Sequence, residues 1–178
     1  MNLIAINPGF AMRGRGCAVA LFEDRRVHRV LFARPETVDR NDLKHAIDIV
    51  AWEIPQIDSR TRVSTPSVVQ IAAVSGTLAG MYAGANDARI VAVTPREWKG
   101  SLAKPHAHHR LWNRLDEYER ALLGGTDTGR EIDRARRRGA LGRWAKPGAA
   151  YYPASFETHN LLDAVGIGRY VLGLEIEA

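Results

Sequence analysis

An α/β domain built on a mixed five-stranded sheet with flanking helices is predicted by three features of the chain. Three apolar or alternating runs follow one another at the start with only tight turns between them, two short apolar runs come later with a helix-length segment between them, and an apolar helical stretch closes the sequence. Runs joined by tight turns pair antiparallel, whereas strands joined through a helix pair in parallel, so one sheet must carry both kinds of pairing. The 178 residues read as a single domain over 1–178 with a basic insertion at about 100–150, long enough to bury a core without covalent staples.

The elements follow in order. Strands are expected over 2–7, 15–22 and 26–33, with turn signals at Pro8-Gly9 and Glu23-Asp24-Arg25. The polar stretch from Pro35 to Asp48 reads as carrying a helix through Leu43, Ala46 and Ile47, and 48–54 as a short buried strand ending at Glu53. Thr65-Pro66-Ser67 opens a long helix that runs to about Ala85, with threonine as cap and proline in the first position. A last strand is expected over 89–94. The polar, basic region from Lys99 to Lys146 holds one helical pattern, Leu111, Leu115, Tyr118 and Leu122, stopped by Gly124-Gly125; the final helix spans about Ser155 to Gly173.

Composition narrows the setting. The single cysteine, Cys17, excludes an internal disulfide, and its neighbours Ala18-Val19-Ala20-Leu21 make it an inert, buried strand residue of a reducing compartment. The N-terminus has no basic lead-in with an apolar run and cleavage site, and no apolar stretch is read as approaching membrane-spanning length, so a cytoplasmic location without a membrane partner is expected. A net charge of +5 and a pI near 9.7 suit a protein that meets phosphate backbones.

Three polar residues stand where apolar ones would be expected. Asn7 ends the strand Leu3-Ile4-Ala5-Ile6, Glu53 lies between Trp52 and Ile54, and Asp163 sits inside Leu161-Leu162-Asp163-Ala164-Val165. An acid in such surroundings needs a reason. Hydrolysis of a phosphodiester with two divalent ions requires carboxylates converging on a patch about 4 Å across. Position 7 and Glu53 can meet there if their strands are parallel neighbours, and Asp163 can reach them from a helix lying on the sheet. Hard oxygen donors select Mg2+ or Mn2+, while one cysteine and scattered histidines argue against zinc.

In the order of its motifs the chain resembles the RuvC family of Holliday-junction resolvases, within the ribonuclease H-like superfamily, and particularly the compact phage and prophage types. Ile4-Ala5-Ile6-Asn7-Pro8-Gly9 is similar to the family's opening motif, in which an aspartate precedes Pro-Gly; Glu53 takes the second acidic place. Val93-Thr94-Pro95-Arg96-Glu97-Trp98-Lys99 resembles the segment whose lysine contacts the cleaved DNA, and Asp163-Ala164 matches the second member of the terminal acidic pair. The first member falls on Asn160 by register or on His159 by chemistry, since both share a helix face with Asp163. The resemblance implies a crossover junction endodeoxyribonuclease of ribonuclease H-like fold, working as a homodimer on four-way DNA junctions with two Mg2+ or Mn2+ ions held by residues 7, 53, 160 and 163. The dimer would form through the long helix, rich in small residues at Ala72, Ala73, Gly76, Ala79, Gly80 and Ala83. The YqgF-type RNA nucleases share a similar opening, but the Trp98-Lys99 segment and the basic insertion fit the resolvases better.

Asn7 departs from that pattern. An amide has nearly the shape of a carboxylate without its charge, so the ligand shared between two metals is lost. The chain as written is therefore expected to be nearly inactive, with Asn7 standing for an aspartate so that DNA is held uncut. A non-catalytic binder of branched DNA is the competing reading.

Basic residues supply the expected DNA contacts. Arg130, Arg134, Arg136, Arg137 and Arg138 fall within nine positions, followed by Arg143; Lys99 and Lys104 precede them. Such a cluster can neutralise several phosphates, and Trp144, Tyr151 and Tyr152 could stack on opened bases. His106, His108 and His109 read as a polar, phosphate-facing helix start rather than a metal cluster.

Overall fold

The computed structural model describes residues 1–8, 16–38, 46–56, 64–102, 104–124 and 156–174, with backbone only at 104–106, 109, 124 and 156–158. Its strands are β1 (Leu3–Asn7), β2 (Cys17–Glu23), β3 (Arg26–Ala33), β4 (Ile49–Glu53) and β5 (Arg89–Val93). Its helices are α1 (Thr65–Asn86), α2 (Pro95–Lys99), α3 (Lys104–Arg114), α4 (Glu117–Gly124) and α5 (Phe156–Val171), with a short 3-10 turn at Pro35–Thr37.

The strands form one mixed sheet in the order β3-β2-β1-β4-β5. The first three make the expected antiparallel meander, turning at Asp24 and Arg25, both with positive φ, which suits the right-handed twist of a two-residue hairpin. β4 lies parallel to β1, with Ile6 opposite Trp52, and β5 lies parallel to β4, with Glu53 opposite Val93. The result is the expected mixed five-stranded sheet with flanking helices.

Side chains alternate across the sheet and build two cores. Leu3 and Ala5, Ala18, Ala20 and Phe22, Ile49 and Ala51 pack with Leu161, Leu162, Val165 and Ile167 of α5. Ile4, Ile6, Val19 and Val50 pack on the other face with Leu78, Ala79, Tyr82 and Ala83 of α1. Two glycines let α5 lie close: a β-carbon on Gly166 would stand 2.6 Å from the Trp98 ring, and one on Gly168 would collide with the ring of Phe22. Alternation carries Asn7 and Glu53, two residues beyond Ala5 and Ala51, to the face that α5 covers.

Several expectations are corrected. The helix through Leu43, Ala46 and Ile47 does not exist at Ala46 and Ile47, while 39–45 lie outside the described residues. Their backbone is engaged elsewhere: Asn2 Nδ2 donates to the Ala46 carbonyl at 2.8 Å, and Ile47 N–H donates to Asn86 Oδ1 at 3.4 Å. The single helical pattern over Leu111 to Leu122 is two helices, broken at Leu115 and Asp116. Asp116 Oδ1 accepts from Glu119 N–H at 2.8 Å while Glu119 Oε2 accepts from Asp116 N–H at 3.1 Å, a reciprocal cap that starts α4 afresh. Tyr118 consequently points outward, 51% exposed. Glu119 is buried and accepts from Val27 N–H, and Arg169 pairs with it at 3.5 Å, so one carboxylate ties α4 to β3 and α5. Finally, α1 is by length and composition alone long and apolar enough to cross a membrane, contrary to the sequence reading; here one of its faces lies on the sheet.

Candidate active site

The ends of β1 and β4 bring the first two predicted residues together. Asn7 is buried at 2% exposure and Glu53 is half-buried. The Asn7 amide donates from Nδ2 to Glu53 Oε1 over a long 3.5 Å. A carboxylate only accepts, so the amide must present its nitrogen to it.

Trp98 holds the other oxygen of Glu53. Thr94-Pro95-Arg96-Glu97 forms a capping box that starts α2: Thr94 Oγ1 accepts from Glu97 N–H at 3.3 Å, and Glu97 Oε2 accepts from Thr94 N–H at 2.6 Å. Hydrogen bonding to the Glu97 carboxyl, first from the Thr94 backbone N–H and then from the Thr94 side chain, holds it below the usual carboxylate range. The single turn that follows drives Trp98 inward, where its Nε1 donates to Glu53 Oε2 at 2.7 Å. Lys99, the expected DNA contact, is half-buried with Nζ 5.4 Å from the centre of the Trp98 ring, within cation–π reach.

On α5, Asn160 and Asp163 are both buried at 3% exposure. Asp163 Oδ1 lies 2.5 Å from His108 Nε2, and both side chains are almost wholly inaccessible. His159 is half-buried, its ring centre 5.1 Å from that of His108 at a tilt of 52°. The Glu53 and Asp163 parts of the site share a wall, because Trp98 packs against Gly166, three residues after Asp163 on α5.

His108 corrects the sequence reading, which set it at a phosphate-facing surface. It is fully buried because it lies three and four residues before Leu111 and Trp112, on the apolar face of α3. That spacing was available in the sequence; the polar company of His106 and His109, whose side chains lie outside the described atoms, hid it. Trp98 was also missed as a partner of Glu53. The side chain of Lys104 is likewise not described, and Arg130, Arg134, Arg136, Arg137, Arg138, Arg143, Trp144, Tyr151 and Tyr152 lie outside the described residues.

The donor set does not fit two divalent ions in the chain as written. Two of the four positions implied as ligands, Asn7 and Asn160, carry neutral amides, and both carboxylates accept hydrogen bonds from nitrogen. Among the described residues, no three or more His, Cys, Asp or Glu side chains gather into a group that could hold a metal.

No protein-family model and no curated protein matches this chain. Among solved structures, T. thermophilus RuvC in complex with a Holliday junction substrate is similar over 96% of this chain and 91% of that one, at 13% identity and a TM-score of 0.45. A second structure of Thermus thermophilus RuvC is similar over 97% of each chain, at 16% identity and a TM-score of 0.39.

Proposed function

We propose that this chain has the framework of a structure-selective endonuclease for four-way and other branched DNA, of the junction-resolvase type, and that in its present form it binds such DNA without cutting it. The observation that carries the reading is the meeting of Asn7 and Glu53 at the ends of adjacent parallel strands, 3.5 Å apart on the face covered by the helix that carries Asp163. This is where the resemblance requires a shared metal ligand, and an amide stands there. Magnesium or manganese, and the homodimer that would present two such sites to a junction, belong to the same proposal. Lys99, braced on the Trp98 ring beside Glu53, is the group we assign to the scissile phosphate, where it would stabilise charge developing in the transition state. The second buried amide, Asn160, favours the alternative of a protein that only binds.

One experiment separates the two. The unmodified chain is expected to bind a synthetic four-way junction and leave it intact with either metal, whereas the Asn7→Asp protein should cleave it in Mg2+ or Mn2+. Removing Glu53 or Asp163 from the cutting variant should abolish cleavage by orders of magnitude. If Asn7→Asp binds but does not cut, and adding Asn160→Asp does not change that, the endonuclease reading fails and the binding protein remains.

A further inference from the structure

Burying a carboxylate is costly unless it is hydrogen-bonded or paired, and this chain meets that need with nitrogen. Glu53 accepts from Trp98 Nε1 at 2.7 Å and from the Asn7 amide at 3.5 Å; Asp163 Oδ1 is hydrogen-bonded to His108 Nε2 at 2.5 Å. The donors are fixed as firmly as the acids. Trp98 is 2% exposed and lies where even a methyl group on Gly166 would intrude, and His108 is fully buried on the core side of α3. The amide at position 7 has a further consequence: a carboxylate in its place would face Glu53 over a similar short distance, and two such charges repel unless a cation lies between them.

We propose that the Asn7 amide stands where a cation would otherwise be needed beside Glu53, and that Trp98 and His108 are the positioning residues of Glu53 and Asp163, so that the site is set and folded without divalent metal. This rests on the same site as the proposed function but not on its substrate. Thermal unfolding and Mn2+ binding, followed by the electron paramagnetic resonance of the free ion, test it without DNA. The unmodified chain should bind no Mn2+ at millimolar concentrations, and its midpoint should move by less than about 1 °C between chelator and metal at matched ionic strength. Asn7→Asp should unfold at lower temperature in chelator, recover in Mn2+ and deplete the free-ion signal.

Within the Asn7→Asp background, Trp98→Phe and His108→Phe keep a ring but lose the donor, and each should weaken Mn2+ binding roughly 10-fold or more. His108→Gln restores a donor and should recover most of the loss, which separates positioning from packing. In the otherwise unmodified chain, Trp98→Phe should lower the midpoint by about 4 to 8 °C through the lost bond to the half-buried charge of Glu53. Clear Mn2+ binding by the unmodified chain overturns the proposal, as does equal Mn2+ affinity in the Phe and Gln variants of His108. Junction binding and cleavage are scored separately, so an Asn7→Asp protein that binds metal but ignores branched DNA sinks the functional reading and leaves this one standing.

Discussion

Cys17 shows how far a single residue's environment governs its chemistry. It begins β2 with no exposed surface, and burial pushes its thiol up to about 12, because the thiolate would lose its hydration there. A maleimide reagent at neutral pH should therefore leave the native protein unlabelled and modify it stoichiometrically in denaturant; rapid labelling of folded protein, measured by intact mass, would contradict the buried strand. Cys17, Glu53 and Asp163 were legible in the sequence for one reason, that each breaks or joins an apolar run whose burial follows from its neighbours. His108 and Trp98 were not legible as partners. Their roles depend on which acid stands opposite, 55 and 45 residues away in the chain, and local spacing carries no such information.

At the scale of elements, α2 sets the position of Trp98 and Lys99, and its cap, with Pro95 in the first position, fixes its start. Thr94→Ala removes the acceptor for Glu97 N–H and should cost about 1 kcal/mol, lowering the midpoint of thermal unfolding by about 2 to 4 °C. The cap is also acid-sensitive. Glu97 has its carboxyl held below its ordinary value of 4.5, so its contribution is present above that pH and is lost as pH falls through the lowered folded value. The stability difference between the parent and Thr94→Ala should therefore shrink in acid; a gap unchanged down to the folded-state titration would mean that Glu97 takes no part in the cap. Strand boundaries were readable because turns and alternation mark them directly. The break at Asp116 was signalled by Asp-Glu-Tyr-Glu, a capping box hidden inside an apolar spacing that runs on through Tyr118. Ala46 and Ile47 lost their expected helix to partners at Asn2 and Asn86, which lie far off in sequence.

At the scale of the whole molecule, the two helical layers are unequal. Among the described residues, α5 is buried almost all round its central turns, between the sheet and the shorter helices α2, α3 and α4, whereas α1 has the sheet on one face. The outward face of α1 includes Val69, 62% exposed, and the glycines Gly80 and Gly84, where an added β-carbon would meet nothing within 4 Å among the described residues. Small residues on an open face permit close backbone approach by a second helix, and our proposal of paired cutting sites requires a second copy. Gly76 is a poor place to probe this, because its β-carbon would already lie 3.8 Å from Trp52 of the same chain. Gly80→Arg places its bulk and charge outward and spares the protein's own core. We therefore expect the unmodified chain to scatter light as a dimer at micromolar concentration and Gly80→Arg to scatter as a folded monomer, with an unchanged far-ultraviolet circular dichroism spectrum. The variant should still bind a single junction arm but lose its preference for four-way junctions over linear duplex, since selectivity of that kind comes from two linked sites engaging at once. A monomeric parent chain, or a Gly80→Arg protein that remains a dimer, would remove α1 as the interface and with it the argument for symmetric pairing.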